Sequence, residues 1–289
     1  MTALTPAADS LADKTFILGV GAEKAGTTWL HSYLGSHPCV YMSEIKELHF
    51  FDSIWTAGLK EQNKSRYIRQ IKTMADQFAR EHASPVAMSR LQALTDRLSM
   101  LDGGENAYVD YFSKRVGGHH THFGEVTPSY SLLPVDGFRQ IRALLPNTKV
   151  IFLMRDPVGR LHSALRAYAT RKGKVDARPY FIPALSDPRH VGWSRYDITI
   201  GNLRAVFPPD SIFIGFYETL FSDETIGRLC SFLGLAFLPG NYPLRVNAVA
   251  EKGPPLTPEQ LAAASAAFAE TYAFCRAEFG SSVPSSWLK

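Results

Sequence analysis

Three short apolar segments, each followed closely by a helical pattern, most constrain how this chain folds. Residues 15–20 (TFILGV) precede a helical spacing of apolar side chains that ends at Gly35. Residues 149–154 (KVIFLM) and 211–217 (SIFIGFY) are followed in the same way, and Gly234 closes the last helix. Strands that alternate with helices are typical of a parallel sheet buried on both faces. The sequence therefore predicts an α/β fold with a parallel sheet flanked by helices.

A helical insertion separates the first strand–helix unit from the second. It covers about residues 53–110, with Ile68, Ile71, Met74 and Phe78 on one helix face and a new start at Ser84-Pro85. Near the carboxyl end, Thr257 and Gln260 form a capping-box pattern for a helix. Its predicted apolar face comprises Leu261, Phe268, Tyr272, Cys275 and Phe279. No linker is visible, so we expect residues 1–289 to form one domain with a flexible tail over residues 1–13.

Charge and composition limit the partners and the compartment. The chain carries 31 Lys and Arg against 27 Asp and Glu, and a net charge of +4 is too mild to indicate a nucleic-acid partner. Three widely spaced cysteines match neither a disulfide framework nor a zinc motif, which favours a reducing compartment. No segment resembles a signal peptide or approaches the ~20 apolar residues of a membrane span. We expect a cytoplasmic protein without a membrane span.

A glycine-rich loop between the first strand and helix carries the strongest chemical signal. Gly21 and Gly26 stand five apart, with Lys24 between them and Thr27 and Thr28 directly after. Backbone N–H groups of such a loop and the following helix N-terminus bind phosphate. The spacing resembles a nucleoside-triphosphate P-loop, but Thr27 occupies the position of that motif's lysine. A lysine inside the loop can instead reach the bridging oxygen of a phosphoanhydride.

A second polar segment follows about twenty residues later. Glu47, His49 and Asp52 lie beside Phe50 and Phe51. A partly desolvated carboxylate next to an imidazole is a plausible general base for a hydroxyl. Taken without the loop, the segment fits a surface-charged edge strand better than a catalytic site.

Together, these motifs resemble the sulfotransferases that use 3′-phosphoadenosine 5′-phosphosulfate (PAPS), in particular the heparan-sulfate-type and bacterial branch. The family carries a Lys-x-Gly-Thr-Thr loop, a His-Pro pair, a Glu-x-His-Phe-Phe-Asp segment, a Thr/Ser-Pro-x-Tyr motif and an Arg-Asp-Pro motif at its 3′-phosphate site. The corresponding segments here, in the family's order, are 24–28, 37–38, 46–52, 124–130 and 153–163. The resemblance implies a P-loop-like sheet.

The resemblance also implies roles for individual residues. Donor binding would involve Lys24, Ala25, Gly26, Thr27, Thr28, Trp29, Arg155, Ser163, Lys252 and Gly253. Lys24 would also stabilise charge on the departing phosphate oxygen. Glu47 would act as the general base, supported by His49 and Asp52. The implied reaction transfers a sulfuryl group to an acceptor hydroxyl or amine by in-line displacement, leaving 3′-phosphoadenosine 5′-phosphate (PAP), with no metal required.

Several alternatives stay open at this point. Val126 stands where heparan-modifying relatives have a lysine, which argues against a heparan-like acceptor. A small molecule, a glycan or a lipid would fit, and the oligomeric state is undetermined. His119, His120 and His122 are expected to form a polar loop rather than a metal site. An ATP-dependent P-loop kinase and a non-catalytic nucleotide-binding protein are the competing functions.

Overall fold

A five-stranded parallel sheet forms the centre of the molecule. The computed structural model describes residues 10–80, 84–243 and 253–288. The strand order is β2-β3-β1-β4-β5. The strands are β1 Thr15–Gly21, β2 Val40–Met42, β3 His122–Val126, β4 Thr148–Met154 and β5 Ile212–Phe216. All neighbouring strands run parallel, as the sequence predicts.

The central strands are buried on both faces. Residues 16–21 of β1 are all buried, as are residues 150–154 of β4. Because successive side chains of a strand point to opposite faces, burial of every residue requires cover on both sides of the sheet. This confirms the predicted α/β architecture and explains why these two strands are continuous apolar runs.

Twelve α-helices in the described part of the chain surround the sheet. They are α1 Thr27–Leu34, α2 Phe51–Trp55, α3 Leu59–Phe78, α4 Pro85–Ser113, α5 Val135–Leu144, α6 Pro157–Arg171, α7 Phe181–Leu185, α8 Pro188–Gly192, α9 Tyr196–Arg204, α10 Asp223–Leu233, α11 Pro258–Ala267 and α12 Ala269–Phe279. Short 3₁₀ turns include Pro128–Leu132 after β3. Within the described residues, no helix is long and apolar enough to cross a membrane.

The insertion is helical, as predicted, and consists of α2, α3 and α4. Ser84 caps α4 by accepting a hydrogen bond from the backbone N–H of Ala87. Gly104, with φ 68°, kinks α4 two thirds of the way along. Ile71 and Met74 pack against the core, whereas the Ile68 side chain is half exposed. The apolar stripe of α3 is therefore narrower than its sequence pattern indicates.

The carboxyl-terminal segment forms two helices where the sequence predicts one. Thr257 and Gln260 form the predicted capping box at the start of α11. The chain then bends at Phe268, with φ −104° and ψ 12°, and α12 begins. The bend lets α11 pack on α6 and α7 while α12 packs on α9. Leu261, placed on the predicted apolar face, is 46% exposed.

The parallel sheet brings the polar segments to one edge. The carboxyl ends of β1, β3 and β4 lead into the loop at 22–26, the turn at Pro128 and Arg155 respectively. Ligand sites of open α/β sheets lie outside the carboxyl ends of the strands.

At the amino terminus, the predicted flexible tail covers residues 1–13, of which 1–9 lie outside the described residues. Residues 10–13 form a turn, and Leu11 is buried in the core.

Candidate active site

The loop after β1 forms a cradle at the start of α1. Lys24 and Gly26 both have left-handed backbone conformations, with φ 67° and 82°. A side chain at Gly26 would lie 2.8 Å from Leu220 and 3.2 Å from Tyr217, so only glycine fits. No side chain caps α1. Its first backbone N–H groups therefore retain the anion-binding capacity of a helix N-terminus.

Arg155 ties this loop to the end of β4. Its Nη1 donates to the backbone oxygen of Lys24 over 2.9 Å, and its guanidinium lies 4.3 Å from the centre of the Tyr217 ring. The Tyr196 hydroxyl donates to the backbone oxygen of Arg155 over 2.6 Å. The structure thus brings together Lys24 and Arg155, which are 131 residues apart. The remaining N–H groups of the guanidinium suit a bidentate grip on phosphate.

Lys24 lies within electrostatic reach of both halves of the predicted site. Burial lowers the pKa of Lys24, while Glu23 and Glu47 oppose this shift and Arg171 and Arg155 reinforce it. The ammonium therefore interacts with the charges of two carboxylates and of two guanidinium groups. Arg171 is the last residue of α6.

Helix α6 carries Ser163 and Arg160, both within the 153–163 motif, although sequence reasoning assigned Arg160 no role of its own. Arg160 is 1% exposed, donates to the Ser194 hydroxyl over 2.6 Å and lies 3.8 Å from the Glu23 carboxylate of the loop. Since residues three apart share a helix face, half-buried Ser163 lies one turn farther along the face that meets the loop. Arg160 thus orients α6 against the cradle.

The other predicted donor residues lie in or behind the cradle. Ala25 and Thr27 are buried, and Thr28 is half-buried at the start of α1. Trp29 packs inward, stacking on Tyr33 with ring centroids 5.3 Å apart, and donates to the Asn241 backbone oxygen over 3.0 Å. Its indole thus belongs to the packing beneath the loop.

The last predicted donor segment, Lys252 and Gly253, precedes α11. Gly253 lies against the loop after α6, where a Cβ on it would stand 2.4 Å from the Val175 backbone oxygen. Lys252 lies outside the described residues, as do Arg245, Val246 and Asn247. Gly253 is therefore beside the basic end of the helix that carries Ser163.

Glu47, His49 and Asp52 form a row of polar side chains in contact, of which His49 and Asp52 share a hydrogen bond. One Glu47 carboxylate oxygen meets the Lys46 ammonium, and the other lies 3.5 Å from His49 Nε2. His49 Nδ1 lies 2.7 Å from Asp52 Oδ2, which also accepts a hydrogen bond from the Ser129 hydroxyl. This carboxylate–imidazole–carboxylate arrangement confirms that the three residues come together, and Ser129 joins them.

Backbone geometry, rather than strand alternation, places these side chains together. Glu47 and His49 have φ values of 66° and 56°, so the segment is a tight irregular turn and not an extended strand. Left-handed backbone is uncommon for residues other than glycine and is found where surrounding contacts enforce it.

Glu47 and His49 shift each other's pKa in opposite directions. Burial would raise the pKa of Glu47, but the contact with His49 and the Lys46 charge outweigh it and lower the pKa to about 2. Burial would lower the pKa of His49, but the contacts with Asp52 and Glu47 raise it. Glu47 is therefore an ionised carboxylate that can accept a proton, and His49 is stabilised as a cation beside it.

A fully buried carboxylate anchors this turn to the sheet. Glu125 of β3 accepts hydrogen bonds from Tyr108, Thr127 and Tyr130 at 2.5, 2.5 and 3.1 Å. It also accepts from the backbone N–H of Leu48 over 3.3 Å. Sequence reasoning noted the 124–130 motif but assigned Glu125 no role. Its position explains the motif, because Glu125 holds the turn that carries Glu47 and His49.

Two imidazoles of the histidine-rich segment at 119–122 bind backbone groups of the fold. His122 Nε2 lies 2.8 Å from the Leu233 backbone oxygen, and His120 Nδ1 accepts from the Gly117 N–H over 2.9 Å. Across the described ranges, no three His, Cys, Asp or Glu side chains are grouped so that they could hold a metal ion.

Comparisons with known proteins identify a family and similar folds. The sequence model of the sulfotransferase family matches residues 16–239. No match was found among curated proteins. Among solved structures, a sulfotransferase from Alicyclobacillus acidocaldarius is similar over 96% of this chain and 99% of its own, with 19% identity and a TM-score of 0.64.

Two further solved structures are more distant. The sulfotransferase domain of the curacin biosynthetic pathway aligns with 79% of this chain and 76% of its own, at 19% identity and a TM-score of 0.49. A sulfotransferase from Mycobacterium tuberculosis H37Rv aligns with 92% of this chain and 79% of its own, at 17% identity and a TM-score of 0.47. The family match spans more than three quarters of the sequence and includes the loop at 22–26 and the Arg155 segment. It also includes the turn that carries Glu47 and His49, called the carboxylate turn below. The chain belongs to the sulfotransferase family.

Proposed function

We propose that this protein transfers a sulfuryl group from PAPS to the hydroxyl or amine of an acceptor molecule, with Glu47 as the general base. The observation that carries the proposal is the link between Lys24 and Arg155, whose Nη1 donates to the Lys24 backbone oxygen over 2.9 Å, while the Glu47 carboxylate also acts on the charge of Lys24. A donor held by Arg155 would thus have its transferred group near Lys24, and an acceptor activated by Glu47 would meet it there.

The residues of the cradle fit a nucleotide with phosphate groups at both ends of its ribose. The uncapped N-terminus of α1, Gly26 and Lys24 fit the 5′ end, and Arg155 with Ser163 fits the 3′-phosphate. When bound, the donor would supply an activated sulfuryl group and a phosphate leaving group. Lys24 would stabilise charge on the leaving oxygen, as cations do in phosphoryl transfer.

Glu47 accounts for the proton balance of the reaction. An oxygen–sulfur bond forms to the acceptor as the donor's sulfur–oxygen bond breaks, and the acceptor proton passes to the Glu47 carboxylate. His49 and Asp52 hold that carboxylate in place and compensate its charge. Positioning and electrostatics of this kind supply most of the rate in related group transfers.

The competing proposal is an ATP-dependent kinase. Thr27 replaces the P-loop lysine, and β4 is followed directly by Arg155 rather than by an aspartate that would hold magnesium. A purified sample treated with a chelator separates the two. We expect PAP binding and slow consumption of labelled PAPS without magnesium, with neither for ATP. Magnesium-dependent ATP binding with no PAP binding would contradict the proposal.

A further inference from the structure

A cleft of about 660 Å³ opens beside the carboxylate turn. It lies between α3 and α4 of the insertion, segment 44–46 and the first turn of α1, which contributes Thr28 and His31. This volume lies within the range of pockets that bind small molecules. Lys46 lines the cleft and also pairs with Glu47. The cleft is therefore adjacent to the proposed general base through Lys46.

The cleft is strongly basic. Arg66 and Arg69 of α3 and Arg90 and Arg97 of α4 line it together with Lys46. None of these four arginines forms an ion pair with any residue that the structure describes. The one carboxylate that lines the cleft, Glu44, accepts a hydrogen bond from the Ser89 hydroxyl and lies 3.9 Å from the Arg115 guanidinium.

These cations lie on the helix faces that meet across the insertion. Arg66, Arg69 and Thr73 follow helical spacing on α3, and Arg90 and Arg97 do so on α4. Paired helices ordinarily fill such a space with apolar side chains. Here a mostly polar stripe on each helix leaves an open volume rather than a packed seam.

Arg97 provides an independent indication that the cleft requires an anion. Its side chain is 1% exposed, and its guanidinium lies 3.4 Å from the centre of the Tyr67 ring. Its Nη1 and Nη2 make only long bonds, both 3.4 Å, to the Glu47 backbone oxygen and to Gln70. Nε is buried without a partner. A buried cation so weakly compensated is costly unless a ligand supplies the opposite charge.

We propose that the acceptor is a small molecule that carries a phosphate, sulfate or carboxylate group in addition to its reactive hydroxyl or amine. Arg66, Arg69 and Arg90 bind that anionic group, and Arg97 lies at the base of the cleft. Guanidinium groups suit this role because they bind such oxyanions in pairs of hydrogen bonds. The identification of the acceptor class rests on the proposed sulfuryl transfer, whereas the anion site itself rests on the arginines alone.

The first test measures anion binding separately from donor binding. Calorimetry follows inorganic pyrophosphate titrated into the full chain saturated with PAP, so that the donor cradle is filled. We expect binding to the wild type and at least tenfold weaker binding to the Arg66→Ala/Arg69→Ala variant and to Arg90→Ala. Lys72→Ala, which removes an exposed cation of α3 outside the cleft, is the matched control and should bind as the wild type does.

The second test offers hydroxyl compounds in pairs, one with a phosphate or carboxylate and one a neutral analogue. We expect labelled PAPS turnover to favour the charged member at least tenfold in the wild type, and the Arg66→Ala/Arg69→Ala variant to lose that preference with an unchanged KM for PAPS. Equal turnover of the neutral members, or pyrophosphate binding unaffected by the arginine substitutions, would overturn this inference. Failure of PAP to bind would instead overturn the proposed donor, while pyrophosphate binding measured without PAP still tests the arginines.

Discussion

At the scale of single residues, Lys46 takes part in two features of the molecule. It lines the arginine-rich cleft, and its ammonium pairs with the Glu47 carboxylate. Together with His49 it lowers the pKa of Glu47 to about 2, although burial acts in the opposite direction. A carboxylate in that state is ionised at every physiological pH. Its strength as a base therefore depends on how firmly Lys46 holds it.

Replacing Lys46 by methionine tests this dependence. Removal of the ammonium should raise the pKa of Glu47, since a neighbouring cation favours the ionised form. A protonated Glu47 cannot accept the acceptor's proton, so the acidic limb of kcat/KM against pH should move to higher pH. Lys72→Met should leave the profile unchanged. A limb that stays in place, or moves to lower pH, would show that Glu47 does not govern it.

The sequence predicts which residues meet at the site better than it predicts how they meet. Lys24, Glu47, His49 and Asp52 follow from the local motifs, and the structure brings them together. Ser129 binds Asp52 across 77 residues, and such a contact leaves no local pattern to find. Arg97 was unrecognised for another reason, because in the helical pattern of α4 it reads as an ordinary charged residue.

At the scale of elements, Glu125 links β3, the 48–51 turn, the 128–132 turn and α4. Its carboxylate is fully buried, and burial raises its pKa despite the hydrogen bonds from Thr127, Tyr108 and Tyr130. Tyr130 extends the link, because its hydroxyl accepts hydrogen bonds from the backbone N–H groups of Phe50 and Phe51 at 3.1 and 3.4 Å. The turn that carries Glu47 and His49 is therefore held by polar contacts rather than by regular secondary structure.

Substitutions in this link should lower the free energy of unfolding in graded steps. Tyr108→Phe removes one hydrogen bond to Glu125 and should cost about 1 kcal/mol. Glu125→Ala leaves three hydroxyls and a backbone N–H without their acceptor and should cost more, about 3 kcal/mol. Urea unfolding provides the measurement, and Tyr168→Phe, at an exposed tyrosine of α6, is the control. Equal stability of Tyr108→Phe and the control would show that the link does not stabilise the fold.

Element prediction from the sequence succeeds where burial is complete and fails where it is mixed. The continuous apolar runs of β1 and β4 were found, and so were the caps at Ser84, Thr257 and Gly234. Strand β2 was missed because it has only three residues, and β3 because its sequence HFGEV contains buried polar side chains. The bend at Phe268 follows from packing on two different neighbours, which no local pattern encodes.

At the scale of the whole molecule, the proposed donor site combines distant parts of the chain. The cradle at 24–28 belongs to the first strand–helix unit, Arg155 and Ser163 to the second, and Gly253 to a segment near the carboxyl end. A site assembled from such separate segments requires that they fold together. We therefore propose that residues 1–289 form one cooperative domain, including the helical insertion.

One cooperative domain should unfold in a single transition. Binding of PAP, the product that the donor leaves, should shift that entire transition. Calorimetry, far-ultraviolet circular dichroism and tryptophan fluorescence should report the same midpoint. PAP at a hundred times its Kd should stabilise the wild type by about 2.7 kcal/mol. Arg155→Ala, which loses the guanidinium proposed to hold the 3′-phosphate, should show a smaller shift at the same PAP concentration. Two transitions, only one of which responds to PAP, would indicate separate domains.

The central claim is that Glu47 acts as the general base, whereas Lys24 binds the donor and stabilises charge on the leaving oxygen. One paired measurement tests it. PAPS turnover and PAP affinity are measured for Glu47→Gln and Lys24→Ala, with Glu61→Gln at an exposed position of α3 as the control. Loss of a general base should lower turnover by about 100-fold in Glu47→Gln while PAP affinity stays within twofold of the wild type, whereas Lys24→Ala should lower both. Normal turnover in Glu47→Gln would contradict the account.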